Sequence, residues 1–384
     1  MLFYPPAVSN IYFCTSIKSY IYSKDNPNSK DNNIIYANSW VLLLKVLLQE
    51  LEKRYHKQEV LLGGHSCYEF TKAIELAGLK PVYHDFDRNF KIPMECLDDL
   101  ISNNTLAFIG IHNVGLDQEN LKLKELCLRR NVIYIEDSTY TFLGYSQINN
   151  NKFSTFGDYA ILNFSEGKII PVGGGALVLN TDKDKVKTSI LEVIKTPTRN
   201  QNFKDLIKIL IYLIGSHPIS YTFYKFIEKI LSVDLKRINS MEFTRKTNYM
   251  DHFSLKESGL KSISEISQNV INTIILKKQN DINNRYKKYL IIKSLLEKKG
   301  YRVFQYHETN MILRIPFIIP EGKQKNLSLQ KLNFFGIRKL YGDQSPLIQK
   351  TNIVSKEFYQ TLFTFPVHKF ISISRAKYLI NKFL

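Results

Sequence analysis

Apolar residues recur every three or four positions from Ser39 to about Tyr55 (Val41, Leu44, Leu47, Leu48, Leu51), behind a polar Asn38-Ser39 start. That period predicts a helix with Ser39 as its N-cap, because a hydroxyl there satisfies a backbone N–H that the first turn leaves unpaired. A short apolar run from Glu59 to Leu62 then predicts a strand. The alternation continues with helix Glu69 to Ala77, Gly78 and strand Pro81 to His84, then helix Met94 to Ile101 and strand Leu106 to Ile111. Helix Leu121 to Arg130 and strand Val132 to Ile135 follow. Short β-rich runs alternating with helix-length segments predict crossover units, and hence an α/β fold around a mainly parallel sheet.

Beyond Asp137 the pattern changes to short strands, Tyr159 to Phe164 and Ala176 to Asn180, separated by Gly-rich turns. After Lys183 the chain reads as mostly helical. Its stretch from Leu206 to Leu231 is strongly apolar and is interrupted at His217-Pro218. A buried helical hairpin is the commoner source of such a stretch, and a surface pair touching a membrane or a partner subunit is the other. From about Ile282 the pattern is helix, strand Tyr301 to Tyr306, strand Met311 to Pro316, helix Ser328 to Phe335 and helix Ser374 to Phe383. The expected organisation is an irregular N-terminal segment over 1–33, a large domain over 34–240 and a smaller C-terminal α+β domain over 241–384.

Composition narrows the class. With 384 residues, 44% of them hydrophobic, the chain can fill a sizeable core. No apolar run reaches the roughly 20 residues that cross a bilayer, so no membrane span is expected. The start, Met1-Leu2-Phe3-Tyr4-Pro5-Pro6, has no basic leader or small-residue cleavage site, so secretion is not expected. The cysteines (Cys14, Cys67, Cys96, Cys127) show no spacing for zinc or a redox couple, which fits a reducing cytoplasm and no metal. A formal charge of +18 is compatible with nucleic acid, an anionic membrane or phosphate-bearing substrates. The lysines are spread from Lys18 to Lys382 with no basic-aromatic run, so a general lysine-rich composition explains the charge and no nucleic-acid partner is expected.

The chemistry concentrates in Ile135-Glu136-Asp137-Ser138, in Asn163-Phe164-Ser165-Glu166-Gly167-Lys168 and in Gly173-Gly174-Gly175. A carboxylate at the end of a buried strand and a lysine on a later turn are the two groups pyridoxal phosphate needs, one for its ring nitrogen and one for its aldehyde. The glycines precede a strand rather than open a helix, which excludes a dinucleotide fingerprint and favours a tight turn passing close to the cofactor. His112 reads as a satisfied strand-end histidine, outside the catalytic set.

Further segments repeat a known order: Ala77-Gly78-Leu79-Lys80-Pro81-Val82 before Asp85-Phe86-Asp87, Thr105 to Ile109 leading to His112 and Gly115, then Glu136-Asp137 and Phe156-Gly157-Asp158. Asn283-Asn284-Arg285-Tyr286, Phe335-Gly336-Ile337 and Phe365-Pro366-Val367-His368 continue it. Together with Lys168 and the glycine triplet, this order resembles the DegT/DnrJ-type sugar aminotransferases, a branch of the fold-type I pyridoxal-phosphate enzymes. The resemblance implies an aminotransferase fold type I large domain with a smaller C-terminal domain, pyridoxal 5'-phosphate as cofactor, and a homodimer with each site at the subunit interface.

By that resemblance Lys168 is the Schiff-base lysine, whose amine would also move a proton between the donor's α-carbon and the cofactor. The shuttle requires a neutral amine, and burial beside a cationic cofactor would lower a lysine pKa in that direction. Asp137 corresponds to the partner of the ring nitrogen. The phosphate is expected at the N-terminus of the helix after Asn38-Ser39-Trp40, where relatives carry Ser-Gly-Thr, so Ser39 and Trp40 stand at the binding positions. Asn163 lies where relatives place a serine on the phosphate, and Asn248 resembles the asparagine lent to the neighbouring subunit's phosphate. Tyr140 replaces the usual His or Gln three residues after the aspartate. The ring-stacking aromatic is expected near Cys67, which cannot stack, leaving His65 or Tyr68 for that role.

The resemblance implies transfer of an amino group from an amino acid, glutamate in the family, to a nucleotide-linked keto-sugar for surface polysaccharide synthesis. Lys168 argues against the family's dehydrating branch, which carries histidine there. A silent relative acting as a binding or regulatory subunit is the alternative reading, suggested by Asn38-Ser39-Trp40 and Tyr140. Small-molecule substrates are the expected partners, with peripheral membrane contact as the further one.

Overall fold

Seven strands, β1 (Ile34–Ala37), β2 (Glu59–Gly63), β3 (Lys80–His84), β4 (Thr105–Ile111), β5 (Ile133–Asp137), β6 (Tyr159–Asn163) and β7 (Gly175–Leu179), form one sheet in the order β1-β7-β6-β5-β4-β2-β3. The run from β3 to β6 is parallel, and β7 and β1 close the edge by antiparallel pairing. The protein is seen here as a computed structural model describing residues 33–230, 259–341 and 352–384, apart from Asn149, Glu166, Asp182, Lys325 and Asn326. The irregular segment expected over 1–33 and the division expected at 240/241 therefore lie almost wholly outside the described residues.

The helices expected between the parallel strands are present as Trp40–Tyr55, Tyr68–Leu76, Met94–Leu100 and Asn120–Arg129. Ser39 caps the first, its Oγ accepting from the Leu42 N–H at 3.3 Å. Because neighbouring side chains on a strand point to opposite faces, β2 sends Val60 and Leu62 to one core and Leu61 to another. Val60 and Leu62 share that core with Leu47, Leu48 and Leu51 of the first helix. Each fully buried leucine there contributes about 1.5–3 kcal/mol, so these residues clamp the helix to the sheet. β1, a strand not predicted from the sequence, pairs with β7 and so places the start of that helix beside it.

A second sheet, β8 (Arg302–Val303), β9 (Arg314–Ile318), β10 (Arg338–Lys339) and β11 (Leu362–Pro366), is antiparallel throughout in the order β10-β11-β9-β8. Register puts Ile315, Phe317, Phe363 and Phe365 on one face, and these join a cluster with Tyr289, Ile292 and Leu379 from helices Glu265–Lys298 and Ile373–Phe383. The same cluster includes Leu61, Phe108 and Tyr134 of the large sheet, so the two sheets share a core. The strand expected over Tyr301 to Tyr306 is only two residues long. Tyr306 turns inward instead, its hydroxyl donating to the Val114 and Arg314 carbonyls.

The apolar stretch broken at His217-Pro218 forms two helices, Arg199–Gly215 and Pro218–Ile230. It is not the buried hairpin that its composition suggested. Ile209 and Tyr212 face the core, but Phe203, Ile207, Ile211 and Ile214 form an exposed stripe that continues in Ile219, Phe223 and Phe226, with Ile214 and Phe223 each 65% exposed. No helix among the described residues is long and apolar enough to cross a membrane.

Candidate active site

The parallel strands β5 and β6 end side by side, and their last residues are Asp137 and Asn163. Adjacent acids on β5 part company because the strand alternates. Glu136 is fully buried and receives the His112 Nε2 at 3.2 Å, the Ser138 hydroxyl at 2.6 Å and the Ser154 and Phe156 N–H groups at 2.9 and 3.1 Å. Burial alone would raise its pKa, but His112 and these hydrogen bonds outweigh it and hold the carboxyl below its ordinary value. The same pairing overcomes burial at His112 and holds that imidazole above its ordinary value. His112 is thus paired through Nε2 alone, and among the described residues its Nδ1 has no hydrogen-bond partner, so it is not the fully satisfied histidine its position suggested.

Asp137 stays at the strand mouth. It is 6% exposed, its Oδ1 accepts from the Thr139 N–H at 3.1 Å, and burial pushes its pKa up against the opposing effects of Thr139 and Lys168. The Thr139 hydroxyl in turn accepts from the Asn163 N–H at 3.2 Å, tying the ends of the two strands together.

Lys168 lies in the loop between β6 and β7. Its Nζ donates to the Tyr140 hydroxyl at 3.1 Å and stands 4.5 Å from the centre of that ring. Burial alone would lower its pKa as the sequence reading expected, but Tyr140, Cys67 and Asp137 outweigh it and the ammonium is held above the ordinary lysine value. The chain's own groups therefore favour the protonated lysine. Cys67, pushed up to about 12 by burial and by Glu69, and Glu69, raised by burial, both feel the Lys168 charge. Cys67, the Asp137–Tyr140 stretch and Lys168 are brought together from three separate parts of the sequence.

The glycine triplet forms a tight turn that holds the helix start against the sheet. A Cβ on Gly174 would overlap the Ala37 carbonyl oxygen and stand 3.0 Å from the Asn38 Cα, and one on Gly175 would overlap the Trp40 Cβ. Ala37, Gly175 and Asn163 are register partners across three strands, so Ser39 and Asn163 sit at the same end of the sheet. Asn38 secures this corner through its amide, with Nδ2 donating to the Gly259 carbonyl at 3.0 Å and Oδ1 accepting from the Lys261 N–H at 2.9 Å. Ser39 uses its oxygen as acceptor in the cap and keeps an O–H to donate. Trp40 is 3% exposed with its indole 4.8 Å from the Phe70 ring, so only its main-chain N–H at the first helical position could meet an anion. Asn163 accepts the Ser165 N–H on Oδ1 at 2.7 Å, leaving its amide nitrogen as the donor. Asn248 lies outside the described residues.

The stacking candidates divide. His65 is fully buried among Phe90, Tyr341, Phe358 and Tyr359, the last ring 4.5 Å away, and burial pulls its pKa down to about 3. It is a neutral core residue. Tyr68 opens the helix Tyr68–Leu76, where burial and then Glu75 raise its hydroxyl above the ordinary value. Two residues escaped the sequence reading. Tyr341, whose hydroxyl burial and then Tyr140, Cys67 and Asp137 raise well above its ordinary value, follows a turn and carries no periodic signal. Arg314 did carry one, as a charge inside the apolar run Met311 to Pro316.

A sequence profile of the DegT/DnrJ/EryC1/StrS aminotransferase family matches residues 35–299, well over half of the chain. Among characterised relatives, GDP-perosamine synthase of Escherichia coli O157:H7 is 27% identical over 171 residues, 43% of this chain and 46% of that protein. The dTDP-4-dehydro-2,3,6-trideoxy-D-glucose 4-aminotransferase of Saccharopolyspora spinosa is 27% identical over 154 residues, 39% of each. The matched stretch thus spans less than half the length of these relatives. In three dimensions, Helicobacter pylori PseC, an aminotransferase involved in the biosynthesis of pseudoaminic acid, superposes with a TM-score of 0.70 at 15% identity, over 99% of this chain and 98% of its own. Escherichia coli GDP-4-keto-6-deoxy-D-mannose-3-dehydratase, solved with hydrated PLP, gives the same TM-score at 16% identity over 99% of both chains. These likenesses establish the fold as aminotransferase fold type I. The profile match establishes the kinship: the chain belongs to the DegT/DnrJ/EryC1/StrS aminotransferase family.

Proposed function

We propose that the protein is a pyridoxal-phosphate-dependent aminotransferase that moves an amino group from an amino acid, glutamate as the donor, onto a keto-sugar carried by a nucleotide. The observation that carries this reading is the meeting of Lys168 Nζ with Tyr140 at 3.1 Å, beside a buried Asp137 whose charge reaches the lysine. The residues present fit the cofactor. Asp137 offers a buried carboxylate for the ring nitrogen, Lys168 an amine for the aldehyde, and the Ser39–Trp40 helix start with Asn163 offers donors for the phosphate. Bound, pyridoxal phosphate supplies a cationic ring that withdraws electrons from the donor's α-carbon.

The protein's part is placement and proton handling. The Lys168 amine takes a proton at the donor's α-carbon, for which it must be neutral, and a cationic ring nearby offsets the anionic influence that holds it charged in the chain alone. Tyr140 orients that amine and gives it a hydrogen-bond partner in either protonation state. Asp137 would hold positive charge on the ring nitrogen of the bound cofactor. As finer readings we propose a cytoplasmic homodimer, with the site completed at the subunit interface as in the family, and a role in surface polysaccharide synthesis. The exposed stripe from Phe203 to Phe226 supports peripheral contact with a membrane surface.

The test uses purified protein loaded with pyridoxal phosphate. Glutamate should yield one equivalent of 2-oxoglutarate per loaded site, and a nucleotide-linked 4-keto-6-deoxy sugar added next should be aminated. Loaded protein that releases no 2-oxo acid from glutamate or any other amino acid would leave the binding or regulatory reading in its place.

A further inference from the structure

The helix Arg199–Gly215 has two unlike faces. Phe203, Lys204, Ile207, Lys208, Ile211 and Ile214 recur turn by turn along the outer face, and all are exposed. On the inner face Leu206, Ile209, Tyr212 and Leu213 join an apolar cluster that includes Phe142, Ile169 and Ile170. Ile169 and Ile170 directly follow Lys168, and Phe142 stands shortly after Tyr140. The helix is therefore mounted on the loop that carries the candidate catalytic lysine.

The outer face is apolar and cationic at once. Asp205, the sole acid of the helix, is buried and receives Gln201 Nε2 at 2.9 Å. Lys208 lies 3.8 Å from that carboxylate but is 69% exposed, so its charge stays at the surface. At the following turn His217 packs on Phe370 with ring centres 5.2 Å apart, and Lys369 stands 5.1 Å from the centre of the Phe370 ring, which adds a further cation beside the stripe. Ile219, Phe223 and Phe226 extend the apolar line along the next helix. A second copy seated here by two-fold symmetry would bring lysines together, with no acid among the described residues of this face to pair them. An anionic bilayer suits both features: acyl chains take the isoleucines and phenylalanines, while the lysine stems reach back to the phosphates.

Resting on the aminotransferase reading for its catalytic consequence, we propose that this helix pair is a dock for anionic phospholipid, and that lipid on its outer face steadies the Lys168 loop on its inner face. In water the helix Arg199–Gly215 is held to the body by its inner face alone. Burying the outer face in lipid stabilises the helix, because a ligand that binds only the folded form adds its binding free energy to that form. Ile209 and Tyr212 pass the gain to Ile169 and Ile170, against which they cluster. Lipid on the dock and cofactor at Lys168 then favour the same ordered loop, so each must raise the affinity for the other by the same factor.

The test begins with cofactor-free full chain titrated with vesicles of phosphatidylglycerol or of phosphatidylcholine. Phosphatidylglycerol should bind about tenfold or more tightly, and Lys204→Gln/Lys208→Gln should weaken that binding by about 30-fold, the worth of two cations at an anionic surface, with thermal unfolding in solution unchanged. Hydrogen exchange at the Ile169 and Ile170 amides should slow when the wild type docks, and should stay as in solution for the double variant at the same lipid concentration. Pyridoxal-phosphate affinity, read by absorbance, should rise on phosphatidylglycerol by the factor by which the cofactor tightens vesicle binding. Equal affinity for the two lipids, or unchanged exchange at Ile169 and Ile170 on docking, would overturn the proposal. So would a dimer that becomes a monomer in Ile211→Asp by light scattering, which would assign the face to a second copy. If docking and exchange behave as expected and no pyridoxal phosphate is taken up, the aminotransferase reading falls and the lipid dock stands.

Discussion

Alanine at Gly174 and at Gly173 separates a close approach from backbone strain alone. Both glycines have positive φ, +78 and +86, so any L-residue there costs about 1–2 kcal/mol. At Gly173 nothing lies within 4 Å of the added Cβ, and the cost should end there. At Gly174 the Cβ would overlap the Ala37 carbonyl oxygen and stand 3.0 and 3.1 Å from Asn38 Cα and Ala37 C, all of it backbone that cannot rotate away. β1 must then move off β7, taking Ser39 and the helix start with it, for a total of about 3–5 kcal/mol. Urea unfolding of both variants measures the difference. Because the displaced corner is also the proposed phosphate site, Gly174→Ala should weaken pyridoxal-phosphate uptake while Gly173→Ala leaves it near wild type. Equal losses of stability and of cofactor affinity in the two variants would refute the role given to this turn.

Further consequences follow from the hydrogen-bond and charge pattern. Removing the Tyr140 hydroxyl takes away a group that raises the Lys168 pKa, so in Tyr140→Phe the deprotonated lysine should appear at lower pH, read from the pH dependence of pyridoxal-phosphate uptake. Glu136→Gln leaves His112 without its counter-ion and should cost about 3–5 kcal/mol near pH 6 in urea unfolding. The pair's sign is fixed by its shifts: Glu136, depressed, contributes fully above about pH 4.5 and loses its contribution as pH falls through its folded value, while His112, raised, contributes fully below about pH 6.5 and loses it as pH rises through its own. The wild type should therefore carry a stability component between those limits that Glu136→Gln lacks. Replacing Ile214 and Phe223 by serine should change stability by less than about 0.5 kcal/mol each and abolish co-sedimentation with anionic phospholipid vesicles. Undiminished co-sedimentation would remove the stripe from the account of peripheral binding.

The parallel sheet and its crossover helices were legible because hydrophobic period and cap chemistry agreed, as at Ser39, where the hydroxyl does accept from Leu42 N–H. Asp137 and Lys168 were legible as chemistry, and the fold brings them within electrostatic reach of each other. What escaped depends on neighbours distant in sequence. The sign of the Lys168 shift is set by Tyr140 and Cys67, whose approach no local pattern encodes. Exposure of the Phe203 to Phe226 stripe could not be read from composition, since a helix apolar on both faces looks the same whether one face or both are covered. The glycine triplet showed that backbones come close, but not that the approaching chain is Ala37 to Trp40.

The central claim is that Lys168 is the residue that takes the cofactor, and covalent trapping tests it most directly. Protein incubated with pyridoxal phosphate, reduced with borohydride and digested should carry the pyridoxyl group on the peptide containing Lys168, in one copy per chain, and Lys168→Ala should carry none. Labelling scattered over surface lysines, or undiminished in Lys168→Ala, would contradict the account.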